Sequence, residues 1–380
     1  MSQKQQEQAR FSGAVMCDAL VDLLRGLPNV NNVTLEGVVV GYAGVGDQGG
    51  RRSEPEIIDG LSRARFWMQG IQAFKVVVSA VSRSQARLNT LSIFQKTHKC
   101  GIPTNVLTTD LLDRLGDDGF ERVGGSIQKL SLSVGTTVLP LVPPASRLGS
   151  DFYELVDLDE QSNEIGAVSV PVLDAHANLK GLTRFLSFMP SLESLEIQLY
   201  NSAAIRDQIP EHRPLRNLLR AVFSTVTLPH LKYLSLRGMP SDEQTLTELL
   251  CSKPGLQSLT LKEVYLCEGS WTEVLATLAE RRLRLSRVHL RNLWQPGGQG
   301  PLHLESRCDL ARRFDRKDPD LRRCWFGPAR AGKRVWFDRV FAAEDIWELA
   351  DVASNPTYGG NEALVGAHST MKWMNIYLHT

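Results

Sequence analysis

Three segments, LKYLSLRG (231–238), LQSLTLKE (256–263) and LSRVHLRN (285–292), share one pattern, with leucine or valine at the first, fourth and sixth positions. The second and third begin 29 residues apart, and so do Ser241 and Ser270, which each precede an apolar stretch with helical spacing. A strand and a helix that recur together at one period are the signature of stacked repeats. These segments predict a solenoid in which each repeat contributes one strand and one helix.

The starts of two helices are predicted from a local motif. Ser241–Gln244 and Ser270–Glu273 have the Ser-x-x-Gln/Glu form of a capping box. In that motif the serine and the Gln or Glu side chains accept hydrogen bonds from backbone N–H groups that the first turn of a helix leaves free. We therefore expect a helix to begin at each serine.

Four less regular copies of the pattern precede residue 228, which makes seven repeats. Their apolar cores are Val33 and Leu35, Leu91 and Ile93, Leu130 and Leu132, and Leu195 and Ile197. Helical periodicity predicts helices from about Gly13 to Arg25, Ile57 to Ser82, Thr109 to Leu115 and Leu179 to Leu186, and from Pro214. On the first helix, the face that we expect to pack on the core carries Val15, Ala19, Leu20, Leu23 and Leu24.

The repeats divide the chain into three parts. Residues 1–12 form a polar, Gln-rich tail, and residues 13–293 form the solenoid, with irregular insertions near 41–56 and 140–170. Residues 294–380 begin with a Pro- and Gly-rich linker, continue with apolar and aromatic residues, and include a predicted helix near 342–352. Because the last repeat of a solenoid exposes an apolar end that must be covered, we expect this part to be a C-terminal cap.

The composition argues against several classes of function. A formal net charge of +1 gives no overall attraction to nucleic acid or to a membrane surface. The six cysteines are widely spaced, without a Cys-x-x-Cys pair, which is typical of reduced thiols. The sequence lacks an apolar run of about 18 residues and a secretory leader, so we expect no membrane span and an intracellular location, cytoplasmic or nuclear.

The candidate binding surface follows from the alternation of side chains along a strand. Leucines point into the core, and the residues between and beside them point to the opposite face. In the early repeats this face is small and polar, with Ser92 and Ser133 among its residues. In the last three repeats that face becomes basic and aromatic, and it carries the predicted partner-binding residues Tyr233, Arg237, Lys262, Arg287, His289 and Arg291. We expect a protein partner with an acidic segment to bind there.

One column of this face brings like charges together. Arg237, Lys262 and Arg291 occupy the same position in three successive repeats, and neighbouring strands lie about 4.8 Å apart. An acidic partner would relieve the repulsion among them. The alternative is that these long side chains spread into water or pair with neighbours such as Glu263.

A second basic and aromatic cluster spans residues 307–339, with Trp325, Phe326, Trp336 and Phe337 among eleven Lys and Arg residues. Its spacing favours a hairpin with strands at 322–326 and 334–338 over a surface for single-stranded nucleic acid. The Gly-x-x-x-x-Gly-Lys match at 327–333 is followed by Arg334 instead of Ser or Thr, and the glycine motif at 44–49 opens no helix. We therefore expect no nucleotide site, and nucleic acid is an unfavoured partner.

Catalytic and metal-binding signatures are absent from the sequence. The histidines and cysteines do not fall into a Gly-x-Ser-x-Gly, His-Glu-x-x-His or zinc-finger arrangement. The acidic residues Asp113, Asp117, Asp118 and Glu121 lack the alternate spacing of a calcium loop. We expect no metal, no cofactor and no catalytic residue, and so a protein that is not an enzyme.

The quoted cores resemble leucine-rich repeats of the ribonuclease-inhibitor-like group, and the part from Leu215 to Trp294 is similar to the repeat domain of fungal F-box proteins. The resemblance implies an α/β leucine-rich-repeat solenoid, an irregular horseshoe with a parallel concave sheet and helices on the convex side. The turns after the strands carry Tyr200, Met239, Val264 and Leu293 where the family has Asn or Cys. We expect the horseshoe to be less regular, because those side chains cannot bond the turn backbone.

The same resemblance suggests a function. In F-box proteins an N-terminal helical bundle joins a ubiquitin ligase through a Skp1-type linker protein, and the repeats bind the protein that is to be ubiquitinated. The first helix here leads directly into a strand, and no F-box of normal length is visible. The resemblance thus implies the substrate-binding part of an F-box-like ubiquitin ligase adaptor, with a non-ligase scaffold or adaptor as the alternative.

Overall fold

The fold is described from a computed structural model, in which residues 13–37, 60–96, 101–107, 109–117, 119–135, 176–200, 215–280, 285–296, 302, 338–342, 346 and 349 are described. These residues form a mixed α/β structure in which most strand pairs are parallel. The chain divides into two compact units. The first comprises Met1–Leu192, Ile197–Asp207 and Thr225–Leu228, and the second comprises Glu193–Glu196, Gln208–Ser224 and Pro229–Thr380.

The first unit alternates strands with helices. In chain order its elements are α1 (Gly13–Gly26), β1 (Asn32–Leu35), α2 (Gly60–Ser84), β2 (Thr90–Ile93), β3 (Ile102–Pro103), a 3-10 turn (Thr104–Val106), α3 (Thr109–Asp117), α4 (Phe120–Gly124), β4 (Lys129–Gly135) and α5 (His176–Ser187). Strand β2 pairs in parallel with β1 on one side and β4 on the other, and β3 extends the pairing along β4. Strand β5 (Ser194–Tyr200) contributes residues to both units.

The core of the first unit is aliphatic and aromatic. The predicted core residues Leu91, Ile93, Leu130 and Leu132 are at most 1% exposed. Between the helices, Phe120 stacks on Phe185 with ring centroids 5.6 Å apart and meets Phe188 edge to face at 5.7 Å. Gly124 and Gly181 let helix backbones approach closely, since an added Cβ would lie 2.4 Å from the Phe188 carbonyl oxygen and 2.1 Å from that of Leu107.

The second unit also alternates strands with helices. Its elements are α6 (Leu218–Thr225, whose last residue belongs to the first unit), β6 (Tyr233–Arg237), β7 (Pro240–Ser241), α7 (Glu243–Ser252), β8 (Ser258–Lys262), β9 (Tyr265–Leu266), α8 (Trp271–Glu280), β10 (Arg287–Arg291) and β11 (Asp338–Ala342). Strands β6, β8 and β10 are parallel and in register, and β11 pairs antiparallel with the far edge of β10. Strands β7 and β9 form a second, shorter parallel ladder.

One hydrogen-bond arrangement recurs where successive parallel strands begin. A single carbonyl oxygen accepts from two consecutive N–H groups of the next repeat, at 2.7–3.3 Å. The accepting residues are Asn31 and Asn89 in the first unit, and Glu193, Lys232 and Gln257 in the second. The same local geometry therefore recurs in five places.

The turns after the strands are also bonded by backbone groups. Met239 and Val264, which stand where the resembled family has Asn or Cys, are fully buried. Their carbonyl oxygens accept from the N–H groups of Tyr265 and Trp294, each at 3.0 Å. These turns are thus held by backbone hydrogen bonds to the following segment, in place of the hydrogen bonds that a polar turn side chain would make.

The predicted inner face of α1 is wrong in part. The helix ends one residue beyond the predicted Arg25, but the residues that it buries are Cys17, Val21 and Leu24. Of the five predicted core residues only Leu24 is buried, and Val15 and Leu23 are more than half exposed. Packing against α2 selects the buried face, because Arg83 at the end of α2 forms an ion pair with Asp18 at 2.8 Å and donates to the Cys17 sulfur at 3.4 Å.

Both predicted capping boxes are also corrected. Asp242, and not Ser241, caps α7, because its Oδ1 accepts from the N–H of Thr245 at 2.8 Å while Ser241 lies in β7. Ser270 does precede α8, but its N–H donates to the carboxylate of Glu243, in the preceding repeat, at 2.8 Å. The carboxylate that the motif assigns to Glu273 therefore comes from the neighbouring helix.

Two further predictions differ in detail. Leu215 has a left-handed backbone with φ of 63°, so α6 begins at Leu218 instead of at Pro214. In the early repeats, Ser92 and Ser133 were expected on the polar face, but they are 5% and 0% exposed. Small side chains at these positions are compatible with burial.

Several predictions lie outside the described residues. They include the insertions near 41–56 and 140–170, the glycine motif at 44–49 and the hairpin at 322–338, of which only Asp338 is described, as the first residue of β11. Of the helix expected near 342–352, Ile346 and Leu349 are described, and both are fully buried in the second unit.

Candidate functional site

The strands of the second unit have one buried and one accessible face. Leucine and valine side chains of β6, β8 and β10 are at most 2% exposed, namely Leu234, Leu236, Leu259, Leu261, Val288 and Leu290. The residues that alternate with them are half-buried or exposed. The alternation expected from the sequence is therefore confirmed for these three strands.

Strand register brings the predicted binding residues together. The cross-strand rows are Tyr233, Ser258 and Arg287; then Ser235, Thr260 and His289; then Arg237, Lys262 and Arg291. All six predicted residues thus lie on three adjacent strands, and we call the set Tyr233, Arg237, Lys262, Arg287, His289 and Arg291 the basic face. Neighbouring strands are about 4.8 Å apart, so each row is a line of side chains in close proximity.

Exposure differs across the basic face. The Tyr233 side chain is the most prominent apolar feature at 46% exposed, and Arg287 is also exposed. Arg237, Lys262, His289 and Arg291 are half-buried. An accessible aromatic ring beside several cationic donors is suited to hydrogen bonds and ion pairs with a polar partner.

Glu263 modifies the charge of this face. It directly follows Lys262, and its two carboxylate oxygens accept from Nε and Nη2 of Arg237 at 3.4 Å each. These distances are long for charge-assisted hydrogen bonds, and both side chains remain partly exposed. For Arg237, pairing with a neighbour therefore competes with pairing to a partner.

The backbone after each basic strand end is left-handed. Gly238, Glu263 and Asn292, which follow Arg237, Lys262 and Arg291, have φ of 69°, 55° and 50°. The N–H of Gly238 donates to the Lys262 carbonyl at 2.9 Å, and that of Glu263 donates to the Arg291 carbonyl at 2.8 Å. These bonds hold the ends of the three strands together, and with them the row of three cations.

The antiparallel strand β11 was missed by the sequence reasoning. Its register places Asp338 opposite Arg291 and Val340 opposite His289. Val340 is 46% exposed, whereas its neighbour Phe341 is fully buried opposite Val288. Nothing in the sequence indicates which strand this segment would join.

A small cleft lies beside the first turns of α6 and α7, away from the basic face. Its volume is about 60 Å³, well below the several hundred Å³ of typical ligand sites. Arg220 in its wall pairs with Asp242 at 3.1 Å and donates to the Thr245 hydroxyl at 3.1 Å. These contacts join α6 to the cap of α7 and indicate a structural role.

Within the ranges that the structure describes, no three His, Cys, Asp or Glu side chains are grouped so that they could hold a metal ion. None of the helices in those ranges combines the length and the apolar character needed to cross a bilayer.

No family model matches this chain, and no curated protein does. The function proposed below is therefore inferred from its own residues and from the resemblance of its repeats.

Proposed function

We propose that this chain is a leucine-rich-repeat protein that recognises another protein, and that an acidic segment of the partner binds the basic face. The observation that carries the proposal is the register of β6, β8 and β10, which places Arg237, Lys262 and Arg291 in one row. In the proposed solenoid this row lies on the concave side of the sheet.

Charge supports an acidic partner. Unit charges about 4.8 Å apart repel by roughly 1 kcal/mol per pair where the surroundings are as wet as bulk water, and by more where they are partly buried. Glu263 offsets part of this repulsion at Arg237. Four Lys and Arg residues nevertheless belong to the basic face, so a partner carboxylate would gain from several of them at once.

The resemblance to fungal F-box proteins makes the proposal more specific. In this form of it, the chain is the substrate-binding part of an F-box-like ubiquitin ligase adaptor, and a Skp1-type linker protein is a second partner. The basic face then holds the substrate.

A packing observation favours the alternative, a scaffold or adaptor without a ligase. Helix α1 belongs to the repeats of the first unit, because Arg83 of α2 pairs with Asp18 and accepts a hydrogen bond from Arg25 at its carbonyl, at 3.1 Å. A helix held in this way is unsuited to be part of a separate F-box bundle. The two forms share the basic face and differ only in the linker protein.

The first test is charge reversal of the row. A chain carrying Arg237→Glu, Lys262→Glu and Arg291→Glu is used as bait beside the wild type, and co-purifying proteins are quantified by mass spectrometry. We expect the proteins enriched by the wild type, with acidic segments among them, to fall at least tenfold with the variant. Each lost ion pair contributes up to about 1 kcal/mol, and each new like-charge contact opposes binding.

The matched control reverses three exposed charges of the first unit, Arg87→Glu, Arg122→Glu and Lys180→Glu. It changes net charge by the same amount, so retained capture shows that position matters and not total charge. Circular dichroism and thermal unfolding check that both variants are folded. Equal capture by the wild type and the row variant would exclude the basic face as the binding surface.

A second measurement separates the ligase adaptor from the scaffold. Purified chain is titrated with a purified Skp1-type linker protein and followed by calorimetry. Saturable one-to-one binding supports the ligase form. Absence of binding, while partner capture by the basic face persists, supports the scaffold.

A further inference from the structure

Two exposed apolar side chains lie on the otherwise polar face of the sheet in the second unit. Tyr233 on β6 and Val340 on β11 are each 46% exposed. Strand register puts Tyr233 in the row of Arg287, and it puts Val340 opposite His289, two residues further along β10. An exposed apolar side chain therefore stands at each end of the rows that cross these four strands.

The separation of the two side chains matches a length of helix. They are three strand spacings of about 4.8 Å and two residues of about 3.4 Å apart, which gives roughly 16 Å between their Cα atoms. A helix rises about 1.5 Å per residue, so about eleven residues cover this distance. Eleven residues make about three whole turns, so the first and last side chains point to the same side of the helix. We call the line from Tyr233 to Val340 the anchor line.

The backbone of the middle strands is already hydrogen-bonded along both edges. Strand β8 pairs with β6 and β10, and β10 pairs with β8 and β11. A segment that lies across this face therefore meets side chains and gains no backbone hydrogen bonds from these two strands. A helix satisfies its own N–H and C=O groups, whereas an extended segment would leave them to water. The face thus favours a helical segment.

The charges lie mainly on one side of the anchor line. The row of Arg237, Lys262 and Arg291 runs across the strands for about 10 Å and lies roughly 10 Å from the line. Of the Lys and Arg residues in the basic face, only Arg287 lies on the other side. Residues four apart on a helix are about 6 Å from each other, so a helix edge with several acidic residues matches the row.

We infer that the partner segment is an acidic amphipathic helix that lies across β6, β8, β10 and β11 along the anchor line. Its apolar stripe, at positions i, i+4, i+7 and i+11, contacts Tyr233 at one end and Val340 at the other. Its acidic edge faces the row of three cations. The inference rests on the proposed binding of an acidic partner at the basic face, and it adds the conformation and direction of the bound segment.

Three synthetic fluorescent peptides, each about five helical turns or 18 residues long, test the conformation. The first carries leucines at the helical spacing and glutamates along one edge of the helix. The second has the same composition, but leucine and glutamate alternate with the period of a strand. The third is the first with a central alanine replaced by proline, which breaks a helix. In fluorescence anisotropy titrations of the full chain, the first peptide should bind tighter than the other two by roughly tenfold or more.

Substitutions in the chain test the two ends of the anchor line. Tyr233→Ala and Val340→Ala should each weaken binding of the helical peptide by about three- to tenfold, because each removes an apolar contact. Val15→Ala is the matched control for Val340→Ala. It removes the same atoms from a valine that is 53% exposed on α1, and it should leave binding unchanged. Far-UV circular dichroism verifies that all three variants are folded.

Four results would overturn the inference. One is equal binding of the three peptides; if charge reversal of the row then abolishes it, the acidic partner stands and only the helix is excluded. Another is tighter binding of the alternating peptide, which indicates an extended segment. A third is binding of the helical peptide that neither Tyr233→Ala nor Val340→Ala weakens. The last is no binding of the helical peptide, in which case the bait experiment alone decides whether an acidic partner binds the basic face.

Discussion

Two features of the structure require glycine at position 269, its backbone conformation and its close contact with Glu243. Its φ of 83° is left-handed, and a Cβ at this position would lie 2.4 Å from Cβ of Glu243 and 2.6 Å from its Oε2. That same oxygen accepts the N–H of Ser270 at the start of α8. Gly269→Ala should therefore destabilise the second unit by about 2–3 kcal/mol, through backbone strain and loss of this bond.

Urea unfolding followed by tryptophan fluorescence measures the effect, with the fully buried Trp271 as a nearby reporter. Gly255→Ala is the matched control, because its added Cβ would have its nearest neighbour at 3.8 Å. We expect the control to change stability by less than about 0.5 kcal/mol. Equal effects of the two substitutions would contradict the close contact at Gly269.

Glu263 gives a prediction that separates a binding role of the row from a purely structural one. Its carboxylate competes with an acidic partner for Arg237. Glu263→Gln should therefore raise the affinity for the captured partner by roughly two- to fivefold, because one weak ion pair is removed. Glu273→Gln, an exposed position on α8, is the control for the change in net charge. Weaker binding by Glu263→Gln would show that the pair supports the face instead of competing for it.

Lys75 links stability of the first unit to pH. Burial lowers the pKa of this lysine, and the positive charge of Arg114 lowers the pKa further. Burial and the charge of Arg114 both destabilise the folded chain while the amine of Lys75 is charged. This destabilisation disappears as the pH rises through the lowered pKa towards the ordinary lysine value of about 10.4.

Lys75→Met should therefore raise the melting temperature at pH 7, by about 1–3 °C. Its advantage over the wild type should shrink as the pH approaches 10. Differential scanning fluorimetry at pH 7, 8.5 and 10 checks this. An advantage that grows with pH would contradict the assigned cause.

At the scale of single elements, helix α7 depends on its cap. The Asp242 carboxylate accepts from the Thr245 N–H and the Thr245 hydroxyl, and it pairs with Arg220 of α6. Asp242→Ala should cost about 1–2 kcal/mol in urea unfolding, the usual range for a lost helix cap. The loss of far-UV helical signal should begin at lower urea than in the wild type, and an unchanged transition would exclude Asp242 as the cap.

The helices show where local sequence is sufficient and where it fails. The existence of α1, α3 and α5 follows from their periodicity, and the structure places each within a few residues of the expected range. Which side of α1 is buried could not be predicted, because apolar residues line two sides and contact with α2 decides between them. Long-range packing thus overrides a periodicity that fits both choices.

The predictions of the two helix caps were wrong for a related reason. The Ser-x-x-Gln/Glu motif is local, whereas the observed partners come from neighbouring elements. Ser241 is held in β7, which pairs with β9, and Ser270 donates to Glu243 of the preceding repeat. A short motif carries no information about such partners.

At the scale of the whole molecule, the row of cations could be predicted because leucine spacing determines strand register. A shift of one residue would turn every leucine of β8 away from the core, so Lys262 is held beside Arg237 and Arg291. Strand β11 could not be placed, since its five residues lie far along the chain from β10 and nothing local determines its partner. The C-terminal contribution to this surface is therefore visible only in the structure.

We expect the partner to contact the polar face of β6, β8 and β10. The most direct test is photo-crosslinking with benzoylphenylalanine in place of Tyr233, whose aromatic side chain is 46% exposed on that face. The comparison position is Glu248, exposed on α7. Irradiation of the complex should yield a covalent adduct with the captured protein from position 233 and none from position 248. Adducts from position 248 alone would place the partner on the helices and contradict binding at this face.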